Sequence, residues 1–241
     1  MIILGLSGKA RAGKSTLCQE LCNAAEKLGW EVAVKPFAGP LKNHVSKEMG
    51  YSKEKYPEKY RENCQAIGAE RRKEDPDYWV KLWYKDMVND YESEMETADV
   101  PVLYLVDDVR YPNELTMLSS KKVKATLVFV KHKTREIEDP LGDWRNHESE
   151  KLANASEEMT SDDLKEKLHY DFVVHNDKSK EDLSTWATSF ISYLSDTEPC
   201  LCEACTANFE MRSPDPDKID QELKEFLDDV DLSEEGDNES T

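Results

Sequence analysis

No stretch of this 241-residue chain stays apolar for the length that a bilayer crossing requires, so a membrane-spanning helix drops out of the reading first. Positive charge is the second shortage. The 32 Lys and Arg residues face 51 Asp and Glu, a formal net charge of −19. An acidic surface of that size repels a nucleic-acid polymer and an anionic membrane, so neither is an expected partner. A small phosphorylated ligand stays compatible, because a few cations can gather into one local pocket. A disulfide scaffold is lacking as well: of six cysteines, Cys18, Cys22 and Cys64 fall in helical patterns and only Cys200, Cys202 and Cys205 cluster. The first seven residues enter a strand and carry neither the basic segment nor the cleavage site of a signal peptide. The expected location is therefore cytoplasmic, the host cytoplasm if the source is a phage. No internal repeat is present.

What remains is an alternation of short β-rich runs and longer helical patterns. Strands are expected at Ile2–Ser7, Glu31–Lys35, Val102–Asp108, Ala125–Lys131 and Asp171–His175. Several are nearly continuous in apolar residues, as parallel strands covered on both faces are. The first helix should run from a glycine loop to Leu28-Gly29, with Leu17, Leu21, Ala25 and Leu28 inward and Cys18 and Cys22 as small core residues. The expected fold is α/β, a three-layer domain over residues 1–195 with a parallel sheet of about five strands. Two insertions leave from carboxyl ends of strands, where such sheets bind ligands. One, about 36–96, is helical (Lys42–Met49, Tyr56–Arg72, Asp77–Glu94) and suits an acceptor; the other, about 132–168, suits a lid. A last helix is expected at Glu181–Leu194, and 196–241 reads as a cysteine-bearing, acidic, partly disordered tail.

Between the first strand and the first helix stands GKARAGKST, in which Gly8, Gly13, Lys14 and Ser15 satisfy G-x-x-x-x-G-K-[ST]. Glycines let the backbone curl so that its amides, including those of Gly8, Ala10, Ala12 and Gly13, point at phosphate oxygens. Lys14 would bridge the β- and γ-phosphates of ATP, Ser15 would give an oxygen to Mg2+, and Thr16 would meet the α-phosphate. Lys9 and Arg11 would tune the rim. The motif makes the expected three-layer α/β domain a P-loop NTPase fold, and it does not by itself choose between a kinase, a GTPase, a motor and a nucleotide sensor.

The end of the third strand reads DDVRYPNE, from Asp107 to Glu114. An acid there reaches the magnesium or its water shell, and an arginine two residues on can fork a phosphate. A polar turn with a structural Asp–Arg pair is the alternative. With FAGPLK at 37–42, RENCQAIG at 61–68 and RNHESE at 145–150, the ordered set resembles the phage-type deoxynucleoside monophosphate kinases over residues 1–195. The resemblance implies transfer of the ATP γ-phosphoryl group to a deoxynucleoside monophosphate. It implies that Lys42, Arg61 and Arg110 contact the monophosphate, Gln65 and Trp79 form the base and sugar pocket, and Glu114 orients Arg110 or touches the sugar. Arg135 and Arg145 would be lid arginines, and Asp108 is the acid matched to the metal, with Asp107 either beside it in the metal shell or structural. Phosphoryl transfer needs alignment and neutralised charge more than a strong base, so His147 reads as a lid hydrogen-bonding residue. Arg71, in the basic run 70–73, is weighed as a phosphate contact against a solvated helix end.

Two rival functions stay open: a P-loop kinase of another small phosphorylated acceptor, such as phosphomevalonate, and a nucleotide-responsive binding protein without acceptor turnover. A homodimer is compatible with the sequence, and the tail is available to a protein partner. Cys200, Cys202 and Cys205 read by default as reduced cysteines, with zinc as the alternative, because a structural zinc site usually takes four ligands and no fourth follows.

Overall fold

The computed structural model describes residues 2–95, 100–120, 123–132 and 148–196. Its centre is β1 (Ile2–Ser7), an apolar strand whose Leu4 and Leu6 are fully buried on one face while Ile3 is buried on the other. β2 (Glu31–Val34), β3 (Val102–Val109), β4 (Thr126–Lys131) and β5 (Phe172–His175) complete one sheet in the order β2-β3-β1-β4-β5. Every pairing is parallel. The expected five-stranded parallel sheet is thus present, each strand within a residue or so of its sequence bounds. Lys35 lies outside β2 yet still donates its N–H to the Leu105 carbonyl at 2.7 Å.

Both faces of the sheet are covered, which explains the near-continuous apolar runs. On one face α1 (Lys14–Lys27) and α8 (Lys180–Asp196) bring Leu17, Leu21, Leu183 and Ile191 against Leu4, Leu6, Leu103 and Leu105. Cys18 is part of that core, as its place on the helix suggested. The other face takes Leu115 and Leu118 of α5 (Pro112–Ser119) together with α6 (Lys151–Glu157) and α7 (Ser161–Leu168).

The helical stretch between β2 and β3 holds α2 (Gly39–Asn43), a π-helical turn at His44–Glu48, α3 (Pro57–Glu74) and α4 (Tyr78–Met95). Leu41, Val45 and Trp79 form a small core of their own there. Val80, Trp83 and Met87 of α4 instead join the main core, so α4 ties this stretch rigidly to the sheet. The crossover from β4 to β5 corrects one expectation. Leu152, Leu164 and Leu168 of α6 and α7 are buried in the main core, so 151–168 is framework rather than lid.

Candidate active site

The chain leaves β1 through Gly8 and enters α1 at Lys14, directly beside the carboxyl end of β3, β1's neighbour in the sheet. Gly8 has φ 134°, and a Cβ there would stand 2.3 Å from the Val130 carbonyl oxygen. Gly13 has φ 99°, and its Cβ would stand 2.1 Å from Asn176 Nδ2. Only glycine meets both demands, of left-handed backbone and of space. Gly13 also brings no side-chain acceptor to the N-terminus of α1, so that helix end faces the site with its partial positive charge.

Lys14 folds back over the loop, its Nζ donating to the carbonyls of Gly8 at 2.5 Å and Lys9 at 2.8 Å. Burial lowers its pKa from 10.5 to about 8, the Arg110 cation pushes the same way, and the acids Glu150, Asp107 and Asp108 push back. Two expected phosphate contacts are differently engaged. The Ala10 N–H donates to Glu150 Oε2 at 3.2 Å, and the Ala12 N–H donates to the Lys9 carbonyl at 3.1 Å with its methyl in the core. Neither alanine, nor Gly8, lines the cleft. Arg11, Gly13, Lys14, Ser15 and Thr16 do. Asn176, just past β5, closes the loop from behind by donating its side-chain amide to the Ala12 carbonyl at 2.8 Å.

That cleft has a volume of about 830 Å3, and beyond the loop its lining includes Lys42, Arg61, Gln65, Arg72 and Arg110. Lys42, Arg61, Gln65, Arg110 and Glu114 all line this one cleft. Trp79 does not. It is 5% exposed, its Nε1–H donates to the Gly68 carbonyl at 3.3 Å, and it supports the wall from inside the small core. The aromatic rings that line the cleft are Tyr60 and Tyr111. Arg71 is likewise displaced by its neighbour: it pairs with Glu74 at 3.3 Å on the outside, while Arg72 lines the cleft.

The acids divide their work. Asp108 accepts the N–H groups of Phe37 at 2.7 Å and Ala38 at 3.2 Å and meets Lys42 at 3.5 Å, so it holds the 37–42 turn in place. It lines the cleft as well, so this structural role stands beside its place in the site. Asp107 also lines the cleft, and burial, reinforced by Asp108, raises its pKa. Glu114 is buried and accepts the N–H groups of Arg110 at 2.7 Å and Tyr111 at 3.1 Å through Oε2. It positions Arg110 through the backbone, one of the roles expected of it. Its pKa rises to about 8, first by burial and then by Asp108, against those two hydrogen bonds and Arg72. Glu150 pairs with the Arg110 guanidinium and is 4% exposed.

Glu150, Arg72, Tyr60, Tyr111 and Asn176 are among the site residues that sequence reasoning did not assign. Glu150 had a signal, as the last residue of the HESE stretch; Arg72 had only its adjacency to Arg71. Arg135, Arg145, His147, Cys200, Cys202 and Cys205 lie outside the described residues. Among the described residues no group of three or more His, Cys, Asp or Glu side chains is placed to hold a metal ion. A magnesium ion commonly takes one or two protein ligands and fills its octahedron with phosphates and water, and Ser15 and Asp107 on one cleft fit that pattern. No helix among the described residues is long and apolar enough to cross a membrane.

A family model described as phosphomevalonate kinase matches residues 6–124, from the end of β1 to just past α5. No curated protein matches the chain. Among solved structures, a dephospho-CoA kinase from Campylobacter jejuni overlaps 81% of this chain and 98% of its own at 14% identity, with a TM-score of 0.43. A shikimate kinase from Acinetobacter baumannii in complex with shikimate overlaps 82% of this chain and 95% of its own, also at 14% identity, with a TM-score of 0.39. The phosphate loop, the five-stranded parallel sheet and the family-model match support the P-loop kinase superfamily.

Proposed function

We propose that the protein is an ATP-dependent kinase that moves the γ-phosphoryl group onto the phosphate of a small phosphorylated acceptor, with phosphomevalonate the acceptor that the family match supports. The observation that carries the reading is the gathering of cations in one cleft. Lys14 and the N-terminus of α1 share it with Lys42, Arg61, Arg72 and Arg110, in a chain of net charge −19. A nucleotide-binding protein without turnover has no need of the cations beyond the loop.

In this reading Lys14 and the loop hold the donor phosphates, and Arg110, fixed through its own backbone, receives the acceptor phosphate. An acceptor phosphate is already an anionic nucleophile, so the residues align and neutralise, and no side chain has to remove a proton. A magnesium ion held by Ser15 with Asp107 or Asp108, all three on the cleft, would offset the charge of the donor phosphates during transfer.

A deoxynucleoside monophosphate remains the second reading, favoured by Tyr60, Gln65 and Tyr111 on the acceptor wall, where rings and an amide suit a planar base. The deciding experiment incubates the purified protein with magnesium-ATP and a panel of phosphomevalonate, the four deoxynucleoside monophosphates and other small monophosphates, and follows ADP. Formation of ADP only with phosphomevalonate supports the first reading and only with a deoxynucleotide the second. Tight ATP binding with no acceptor turnover would sink both and leave the nucleotide-responsive binder.

A further inference from the structure

The carboxylate of Glu150 touches both halves of the cleft. Oε2 accepts the Ala10 N–H of the phosphate loop at 3.2 Å, and Oε1 pairs with the guanidinium of Arg110 on the acceptor side. We propose that Glu150 is a positioning residue that locks Arg110 to the phosphate loop, so that one carboxylate sets the distance between donor and acceptor phosphates. The inference deepens the kinase reading and rests on it for the name of the acceptor, though not for its test.

Three observations argue for a fixed post. Glu150 ends the Glu148–Glu150 turn and leads straight into α6, whose Leu152 and Ala153 are 1% and 3% exposed in the core, so its backbone is anchored. Arg110 is held at its other end by Glu114, which accepts its backbone N–H at 2.7 Å. A guanidinium has five N–H donors in a rigid fork. Clamped at the backbone by one acid and at NH1 by another, it keeps its remaining donors in one orientation, and its side chain is still 37% exposed toward ligand. A third consideration is charge. Lys14 and Arg110 repel each other across the cleft, and Glu150 offsets that repulsion from a position in contact with both the loop and Arg110. Losing the carboxylate would leave the guanidinium free to turn away from Lys14, and the acceptor phosphate would lose its aligned fork.

The test uses inorganic phosphate as the acceptor-site probe, with the donor site filled by a non-hydrolysable ATP analogue and magnesium. Binding is measured calorimetrically for the wild type, Glu150→Gln, Arg110→Ala and the double variant, and Tm is recorded for each. Glu150→Gln should weaken phosphate binding about tenfold, the scale of one charge-assisted contact, and change the analogue's own affinity far less. In the Arg110→Ala background it should have no further effect, because it acts through Arg110. Glu150→Asp, which keeps the charge but is one methylene too short to span both partners, should behave like Glu150→Gln. Tighter phosphate binding in Glu150→Gln would mean that the carboxylate competes with the ligand, and the proposal fails. A lower Tm with unchanged phosphate binding at a permissive temperature overturns it too, because the role is then structural only. If the wild type turns over no acceptor in the panel above, the kinase reading falls while the phosphate comparison still decides the role of Glu150.

Discussion

The guanidinium carbon of Arg72 lies 4.0 Å from the centre of the Tyr111 ring, which joins the inner face of α3 to the turn after β3. Both residues line the cleft. One residue earlier, Arg71 points outward and pairs with Glu74. The two arginines should therefore separate cleanly. Arg72→Ala should raise the acceptor KM about tenfold, the loss of one charged contact and of a stacking interaction. Arg71→Ala should leave both KM values within about twofold, as for an exposed ion pair. Steady-state kinetics with the active acceptor checks the pair, and equal effects would remove Arg72 from the acceptor wall.

Lys14→Met should abolish turnover, by at least about a hundredfold in kcat, because the Lys14 ammonium, folded over the loop, is the charge placed to meet the donor phosphates. The native side chain also predicts a pH effect. Burial lowers its pKa to about 8, and only the charged form attracts phosphate, so nucleotide affinity should fall as pH rises through that value. Titration of a fluorescent nucleotide between pH 6.5 and 9.5 measures this; a flat profile contradicts it.

Arg110→Ala should act on the acceptor. Its backbone is held by Glu114 and its side chain by Glu150, so truncation leaves the loop in place and removes the fork. The acceptor KM should rise by about ten to a hundredfold while ATP affinity changes little. Unchanged acceptor kinetics would remove Arg110 from its assigned place.

Asn176→Asp should damage nucleotide binding from outside the loop. The native amide donates to the Ala12 carbonyl at 2.8 Å, and a carboxylate would set two acceptors against each other there. A loss of about 1–3 kcal/mol in stability is expected, together with weaker ATP binding. Thermal melts with and without nucleotide read both effects; an unperturbed nucleotide shift would show that the strap is not needed.

Glu114 predicts a stability slope. Its ordinary value of 4.5 rises to about 8 in the fold, so between those values the unfolded chain has released a proton that the folded chain retains. Stability from this group therefore falls as pH climbs from about 4.5 to about 8 and is level above. Glu114→Gln, which still offers an oxygen to the N–H groups of Arg110 and Tyr111, should flatten the slope. Urea melts of both proteins at pH 5 and pH 8.5 make the comparison.

Trp79 and Glu150 mark the boundary between what could be read in one dimension and what could not. The strands, the glycine loop and the order of helices follow from local periodicity and from backbone needs that Gly8 and Gly13 alone satisfy, and these are properties of neighbouring residues. The cationic side chains Lys42, Arg61 and Arg110 were picked out by the resemblance that FAGPLK, RENCQAIG and DDVRYPNE carry, and all three line the cleft. Which face of α3 or α4 looks into the cleft was not. Arg71 and Arg72 differ by about 100° around a helix, and the choice between them, like the burial of Trp79 against Leu41 and Val45, depends on how α3 and α4 pack on the sheet.

Long-range pairing decided the rest. Ala10 and Glu150 are 140 residues apart, and Ala12 and Asn176 are 164 apart. No local pattern announces such partners, since they meet only when β1, β4 and β5 lie side by side. The sequence by itself determined that the chain builds a parallel sheet with a phosphate loop at its centre, because period, glycine placement and apolar runs are local. The tertiary structure alone decided which acids serve the ligand and which hold the frame, because a carboxylate's role depends on what the fold brings within hydrogen-bonding reach of it.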